Sequence, residues 1–453
     1  VVALLALGYS RSAEPAHEGT VDDRDAWSAF QAMRRIETAE SWMTRLNEFF
    51  ENRDLLATLP PRHEQKRFAL PALDATPREE AAPGSDQSKV ATASTAAAGA
   101  ASTPPTEVLP DILVVLEEST FDPSLIARCR LSVCQSAMFE PAPARWRSIQ
   151  SPLLVHTSGG GTWLTEFAFL SGFDWRIFGR GGAYAPVSLA PRLQRSLPKY
   201  LRSLGYHTVV YSAVGAEFLR ARPAYRYYGF DDFYASQDLK LSNDWHAVRD
   251  RRVFELALDG IARDTDPRPK FVFILTIRNH GPHGEDKAPI PLAFRGAEKR
   301  LGRGLADYLA RLDDSAHDMA WLRQAWLSSP RPRVIGWFGD HQPEVSWDYL
   351  DKDADINRAR FATNVDTAQM RYLTWHQFAA NYGGHGAATR MEALDAPFLA
   401  TELLDFAGLP PDPGMQASMA LMAACHGLQL DCADRDLVRD YLSYRIYDLD
   451  SVR

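Results

Sequence analysis

The sequence has no excess of positive charge and no apolar run long enough to cross a membrane. Its 50 lysines and arginines are outnumbered by 58 aspartates and glutamates, giving a formal net charge of −8 at pH 7. Nucleic-acid binding usually requires a basic surface, so nucleic acid is excluded as the expected partner. The apolar stretch VVALLALGY at 1–9 is far shorter than the roughly 20 residues of a transmembrane helix. It could still be the end of such a helix, the remnant of a signal peptide, or a buried strand or helix start.

Cysteine is scarce, and the four cysteines fall into two close pairs. Cys129 and Cys134 flank RLSV, and Cys425 and Cys432 flank HGLQLD. Neither spacing is the two-residue gap of a zinc knuckle. Local pairs are typical of small disulfide loops in an oxidising compartment, whereas four buried reduced thiols are the alternative. We expect disulfides and hence an extracytoplasmic location.

Composition divides the chain into an N-terminal part and one long domain. Within 10–75, apolar residues recur at helical spacing, which predicts a helical segment that follows the apolar stretch 1–9. The range 76–106 is rich in alanine, serine, threonine and proline and cannot bury enough apolar surface to order itself. We therefore expect a flexible linker there and a single folded domain over 107–453.

Four apolar strands are predicted in that domain, with amphipathic helices between them. The strands are DILVVLE, HTVVYSAV, KFVFILT and RVIGWFG, and the helices span 192–204, 244–263 and 303–326. This alternation predicts an α/β fold with a mostly parallel central sheet covered by helices on both faces. Ligands of such sheets bind beyond the carboxyl ends of the strands, and here polar residues follow several strands directly.

Two of these strand ends offer metal-ligating side chains. Asp340 and His341 follow the strand at 333–338, so a carboxylate and an imidazole can reach one divalent cation if the backbone turns. A surface turn is the alternative. Glu117 and Glu118 end the first strand, and side-chain alternation lets only one of them face the strand-end pocket.

A glycine-rich loop and a histidine-containing loop add candidates. Gly159 to Gly161 precede Thr162, whose hydroxyl is either a nucleophile activated by a metal or base, or a plain helix cap. His280 or His283, after the third strand, could stabilise a developing charge or protonate a leaving group, unless RNHGPHG is only a surface loop.

Taken together, these motifs resemble the alkaline phosphatase and sulfatase superfamily. They look most like its lipoteichoic acid synthase-like branch of phosphoglycerol and phosphoethanolamine transferases. The matching motifs are LEES (116–119), GGGTWLTEF (159–167), RNHGPH (278–283) and GDH (339–341), with a weaker match in FLRARPAYRYYGFDDF (218–233). The resemblance covers about 106–410.

The resemblance implies a role for each matched residue. The implied metal ligands are Glu118, Thr162, Asp340 and His341. Thr162 is also the implied nucleophile, and His280 the implied contact to the transferred group. The branch commonly holds phosphoglycerol with a tryptophan and an arginine, where this chain has Leu219 and Ala221. Arg220 or Arg222 is expected to take over that binding role.

The resemblance also implies a function and a location. It implies transfer of phosphoglycerol or phosphoethanolamine from a phospholipid to a glycan or envelope-polymer hydroxyl, through a phosphothreonine intermediate. Three oxygen ligands and one nitrogen suit one Mn²⁺ or Zn²⁺ ion, with Mg²⁺ possible. The branch is anchored in the inner membrane by N-terminal helices, with the catalytic domain in the periplasm. Residues 1–9 would then end the last span, and 10–75 would be juxtamembrane helices.

Two other functions compete with transfer. A phosphodiesterase of the same superfamily would hydrolyse the intermediate, whereas a sulfatase needs a cysteine or serine where this chain has Thr162. A non-catalytic, membrane-tethered binding protein would be expected to have lost metal ligands, and all four are present.

Overall fold

The computed structural model describes residues 108–285, 289–350, 356–357 and 364–453. The predicted N-terminal segments 1–9, 10–75 and 76–106 lie outside these residues. Among the described helices, none combines the length and the apolar character that a membrane span requires.

Nine strands of the described residues form one sheet that is mostly parallel. They are β1 (Asp111–Glu117), β2 (Arg147–Leu154), β3 (His207–Ser212), β4 (Asp232–Tyr234), β5 (Lys270–Leu275), β6 (Arg333–Gly339), β7 (Leu373–Ala380), β8 (Gly386–Thr389) and β9 (Leu394–Asp395). Their order is β4-β3-β5-β1-β6-β7-β2-β8, with β9 paired to β2. Only β7 runs antiparallel to its neighbours β6 and β2. The predicted α/β class with a mostly parallel sheet is confirmed.

The central strand β1 shows why the sheet needs cover on both faces. Ile112, Val114 and Leu116 belong to one apolar layer, and Leu113 and Val115 belong to the other. All five side chains are fully buried. A strand buried on both faces reads as a continuous apolar run, as DILVVL does.

Helices supply the cover on both faces. They are α1 (Thr162–Ser171), α2 (Ala185–Ser188), α3 (Leu197–Ser203), α4 (Ala221–Tyr228), α5 (Asp250–Arg263), α6 (Arg295–Leu301), α7 (Arg303–Leu327), α8 (Leu399–Phe406), α9 (Pro413–Ala424) and α10 (Arg435–Ser443). Helices α1, α3, α4 and α8 to α10 contribute to the first layer, and α5 to α7 to the second. Helix α3 begins later than predicted because the Ser196 side chain caps it, accepting a hydrogen bond from the Lys199 N–H at 3.3 Å.

Both cysteine pairs are disulfide-bonded. Cys129 bonds Cys134, and Cys425 bonds Cys432. The expectation of two local disulfides is therefore confirmed, and the second one closes the loop that follows α9.

The topology brings the predicted candidates to one edge of the sheet. Strands β5, β1 and β6 are adjacent and parallel, so their carboxyl ends meet. Strand β2 runs in the same direction as β6 because two antiparallel pairings separate them. The loop between β2 and α1 therefore starts from the same edge.

Candidate active site

A cavity of about 980 Å³ opens at this edge of the sheet. Glu118, Thr162, His280 and His341 all line it. Asp340, next to His341, is completely buried. A concave site at the carboxyl ends of parallel strands is the usual location of an α/β active site.

The turn after β1 orients Glu118. Its N–H donates to the Thr276 hydroxyl at 3.0 Å, and its Oε1 accepts from the Ser119 hydroxyl at 2.7 Å. Ser119 has φ +49°, a left-handed conformation that points its own N–H to Asp340 Oδ1 at 2.7 Å. The side chain of the neighbouring Glu117 makes a different contact, because its Oε2 accepts a hydrogen bond from the Thr276 hydroxyl at 3.4 Å. The two glutamates thus face different surroundings, as strand alternation predicts.

The turn after β6 orients Asp340 and His341. The His341 N–H donates to Asp340 Oδ1 at 2.9 Å, and its ring Nδ1 donates to the Gln342 carbonyl at 3.0 Å. That second bond leaves the lone pair of Nε2 facing the cavity. Gly339 is required here, because a Cβ would lie 1.9 Å from the Thr120 carbonyl oxygen.

The glycine-rich loop places Thr162 at the start of α1. The helix cap is Gly161, with φ +85°, so the alternative role of Thr162 as the cap is wrong. Gly159 has φ +70°, and a Cβ there would lie 2.2 Å from the Trp347 ring. The glycines therefore provide both the positive φ angles and the close approach that bring Thr162 into the cavity.

Glu118, Thr162, Asp340 and His341 form one compact cluster, here called the metal cluster. Thr162 Oγ1 lies 3.2 Å from Glu118 Oε2 and 3.4 Å from His341 Nε2. His341 Nε2 lies 3.4 Å from Glu118 Oε1 and 3.2 Å from Asp340 Oδ2. Ligand atoms of the three ionisable residues all lie within 4.8 Å of one another. The structure thus brings the four predicted ligands together.

The chemistry of the metal cluster fits a divalent cation. Asp340 Oδ2 is buried and accepts no hydrogen bond from the described residues. No lysine or arginine of the described ranges pairs with Glu118 or Asp340. Burial, followed by repulsion from Asp340, raises the pKa of Glu118 to about 8. Buried carboxylates in this state need either a proton or a cation, and the donor set suits a metal ion.

Both candidate histidines line the cavity. His280 Nδ1 donates to the Gly281 carbonyl at 2.6 Å, and its ring lies 4.7 Å from the Trp245 ring. Burial lowers the pKa of His280, so the ring is neutral near pH 7. His283, by contrast, donates from Nε2 to the Asn279 carbonyl at 3.0 Å. Burial lowers the pKa of the His283 ring to about 3.

The two candidate arginines lie outside the metal cluster. Phe218, Leu219 and Ala221 line the cavity, and neither arginine is among its described lining residues. Arg222 donates to Asp238 Oδ2 at 2.6 Å and to the Phe233 carbonyl at 3.1 Å. Arg220 is exposed, between two lining residues. A substrate role for either arginine stays a prediction.

Glu166, within the matched GGGTWLTEF motif, is a further cavity residue, and no catalytic role was predicted for it. It lines the cavity and is 6% exposed. Burial, with a further contribution from Asp340, raises its pKa to about 8. Its position one helical turn after Thr162 places both side chains on one face of α1, which is the signal that could have identified it.

Relatives and solved structures provide a comparison for this site. Residues 110–367 match the sulfatase family model. An uncharacterized protein of Haemophilus influenzae is 30% identical over 351 residues, which are 75% of this chain and 61% of that protein. The chain therefore spans less than two thirds of that relative's length.

Two solved structures are similar to this chain to different degrees. The phosphoglycerol transferase GacH of Streptococcus pyogenes, solved with sn-glycerol-1-phosphate, matches 76% of this chain and 89% of its own, with 13% identity and a TM-score of 0.53. The lipoteichoic acid synthase LtaP of Listeria monocytogenes matches 66% and 72%, with 15% identity and a TM-score of 0.48.

The family match extends from β1 past the GDH motif, so it includes every residue of the metal cluster. It confirms the predicted membership of the alkaline phosphatase and sulfatase superfamily, whose members are typically phosphotransferases or hydrolases that use a divalent metal. With more than half of its residues matched, the chain belongs to the sulfatase family.

Proposed function

We propose that the protein transfers a phosphoglycerol or phosphoethanolamine group from a phospholipid to a hydroxyl of a glycan or envelope polymer. The observation that carries the proposal is the position of Thr162. Its hydroxyl contacts Glu118 and His341, inside a cluster suited to a metal. A threonine hydroxyl is a weak nucleophile, and a metal is one of the few ways to activate it.

The chemistry proceeds in two balanced steps. Glu118, Thr162, Asp340 and His341 would hold a divalent cation, which would lower the pKa of the Thr162 hydroxyl and offset charge on the phosphoryl oxygens. Thr162 Oγ1 then bonds to phosphorus, the bond to diacylglycerol breaks, and diacylglycerol leaves with a proton. In the second step an acceptor hydroxyl oxygen bonds to phosphorus, the bond between phosphorus and Thr162 Oγ1 breaks, and the proton lost by the acceptor returns to Oγ1.

Two side chains outside the metal cluster assist these steps. With its Nδ1–H donated to Gly281, neutral His280 presents Nε2 to take the acceptor's proton. Arg220, which is exposed between two cavity-lining residues, would bind the phosphoryl oxygens, whereas Arg222 pairs with Asp238. Mn²⁺ or Zn²⁺ suits the ligands, and Mg²⁺ also binds such oxygens.

The proposed location is the periplasmic side of the inner membrane. Two disulfides support an oxidising compartment. A phospholipid donor is available at a membrane surface, to which the N-terminal part of the protein would anchor the domain.

The test is intact-mass measurement after incubation with phosphatidylglycerol or phosphatidylethanolamine and Mn²⁺ or Zn²⁺. One lipid adds the mass of its phosphorylated head group to the wild-type protein and to Thr162→Ser, but not to Thr162→Ala. The lipid concentration at half-maximal labelling rises about tenfold in Arg220→Ala, the loss of one charged hydrogen bond. It stays within about threefold in Arg222→Ala, whose exposed ion pair contributes little.

Two outcomes contradict the proposal. Release of diacylglycerol and free head-group phosphate, without transfer to any added glycan, identifies a phosphodiesterase. Tight lipid binding with no adduct and no product identifies the non-catalytic binding protein.

A further inference from the structure

A second cluster of metal-ligating residue types lies outside the cavity. His156, Asp174 and Asp395 each offer a ligand atom within 4.8 Å of the others. His156 Nε2 lies 2.7 Å from Asp395 Oδ1 and 3.4 Å from Asp174 Oδ2. Both carboxylates are fully buried. We call these three residues, together with Arg176, the His156 cluster.

Arg176 already supplies the positive charge of this cluster. Its guanidinium donates to Asp174 through Nε and Nη2, with Nη2 at 2.7 Å from Oδ2. The same Nη2 lies 3.1 Å from His156 Nε2 and 4.0 Å from Asp431 Oδ2. A guanidinium on this side of the carboxylates occupies the charge-neutralising position that a metal would need, so the cluster is an ion-pair network.

The His156 cluster joins both ends of the segment that carries Thr162. His156 lies between β2 and the glycine-rich loop, and Asp174 and Arg176 follow α1. The two ends are therefore fixed to each other, with the loop and α1 between them. His156 has φ +44°, a left-handed conformation that is uncommon for residues other than glycine.

The cluster also fixes this segment to the C-terminal part of the domain. Asp395 belongs to β9, and its Oδ2 accepts from the Gln429 N–H at 2.9 Å. The Gln429 side-chain oxygen in turn accepts from the Asp174 N–H at 3.2 Å. Gln429 lies in the loop closed by the Cys425–Cys432 disulfide. The segment around α1, strand β9 and the disulfide loop are thus joined to one another by buried hydrogen bonds and ion pairs.

We propose that the His156 cluster is a positioning device that holds the glycine-rich loop so that Thr162 stays in contact with Glu118 and His341. This inference rests on the proposed function of Thr162. A displacement of about 1 Å at a nucleophile can cost on the order of 100-fold in rate, so fixing both ends of a three-glycine loop has a direct catalytic consequence.

The charge on His156 supports this role. Burial and the Arg176 guanidinium both disfavour a proton on the ring. The carboxylates Asp395 and Asp174 outweigh them, so the pKa of His156 is raised above its ordinary value. The raised pKa favours the protonated ring, which together with Arg176 would balance these two carboxylates. Asp431 is the other acidic group that faces the network.

The test compares wild-type protein with His156→Gln and Asp395→Asn. With the lipid and metal that label Thr162, the maximal labelling rate falls about 10- to 100-fold, while the half-saturating lipid concentration and the metal affinity stay within about threefold. In amide hydrogen exchange, the Gly159 N–H, which donates to the Gln342 carbonyl at 2.7 Å, exchanges at least about tenfold faster.

His376→Gln is the matched control. It breaks another buried pair of the same type, because His376 Nε2 lies 2.9 Å from Glu402 Oε2. It lowers thermal stability but leaves the maximal labelling rate of the folded protein and the Gly159 exchange rate unchanged.

Failure of this inference differs from failure of the proposed function. Absence of labelling in the wild type overturns the function, and the Gly159 exchange rate still decides whether the cluster holds the loop. Unchanged exchange and an unchanged labelling rate in Asp395→Asn overturn the inference, as does a wild-type protein that binds a metal ion through His156. If His156→Gln does not fold, Asp395→Asn decides alone.

Discussion

The metal cluster and the His156 cluster each contain two carboxylates and one histidine, yet the pKa values of Glu118 and Asp174 are shifted in opposite directions. In the metal cluster, burial and Asp340 raise the pKa of Glu118 to about 8. In the His156 cluster, burial also opposes ionisation of Asp174, but Arg176 and His156 outweigh it and lower its pKa. The difference is a guanidinium, present in one cluster and absent from the described surroundings of the other.

This contrast shows how to distinguish a metal centre from an ion-pair network when both contain two carboxylates and one imidazole. Two carboxylates and an imidazole within 4.8 Å do not identify a metal site by themselves. What decides is the source of positive charge, because buried carboxylates need a cation or a proton. The His156 cluster has its cation in Arg176, whereas the metal cluster offers an unbonded oxygen of Asp340 toward a ligand.

The largest effect is expected from removing a ligand of the metal cluster. Asp340→Asn weakens Mn²⁺ or Zn²⁺ binding by more than about 100-fold, more than the loss of a group that only supports a ligand. Thr162 labelling is lost with it. Titration calorimetry and intact mass check both results. Asp395→Asn is the control and keeps the metal affinity within about threefold; equal losses in the two variants would contradict the distinction between the clusters.

The next largest effect is expected from removing the guanidinium. Arg176→Gln leaves the carboxylates of Asp174 and Asp395 without their cation, which costs about 3–5 kcal/mol of stability. The His156 cluster of this variant then resembles the metal cluster, because both lack a guanidinium. The variant therefore binds two Zn²⁺ ions per chain, whereas the wild type binds one. Thermal unfolding and metal analysis of the desalted protein measure these results.

Arg176→Lys is the control for this change. It keeps a positive charge beside Asp174 and therefore binds one Zn²⁺ ion per chain, with a smaller loss of stability than in Arg176→Gln. Two ions in the wild type, or one in Arg176→Gln, would mean that the guanidinium does not determine the difference between the clusters.

A smaller, pH-dependent effect is expected at Glu166, another buried carboxylate without a described cation. Its pKa is raised from 4.5 to about 8, so the folded protein keeps the proton while the unfolded chain loses it. The stability of the metal-free wild type therefore falls by a few kcal/mol as pH rises from 4.5 to 8. Glu166→Gln remains neutral and avoids this loss.

Melting temperatures in buffer containing a chelator measure this effect. The difference between Glu166→Gln and the wild type is smallest near pH 5 and reaches several degrees in favour of the variant near pH 8. A difference that does not change with pH would show that Glu166 is already ionised in the folded protein.

The sequence predicted the central sheet and the edge where the site forms, because apolar strands followed by polar residues are a local pattern. It could not choose between Glu117 and Glu118 without the family resemblance. The left-handed turn at Ser119, which bonds to Asp340, is set by a tertiary contact. The start of α1 was also ambiguous, since Thr162 is a good capping residue and only the structure shows Gly161 in that position.

The His156 cluster could not be predicted from spacing. Its histidine and Asp395 are far apart in sequence, and the pairing of β9 with β2 brings them together. No site role was predicted for Arg176. No motif marks such a network, because each member is an ordinary polar residue until the fold places it beside the others.

The anchoring of His156 by β9 and the last disulfide loop determines how the domain can be shortened. A chain that stops at 367, where the family match ends, would retain Glu118, Thr162, Asp340 and His341. It would lack Asp395 and Gln429, and β7, which pairs with both β6 and β2, would also be lost. We therefore expect that a unit able to hold Thr162 in position extends beyond the family boundary to at least the second disulfide.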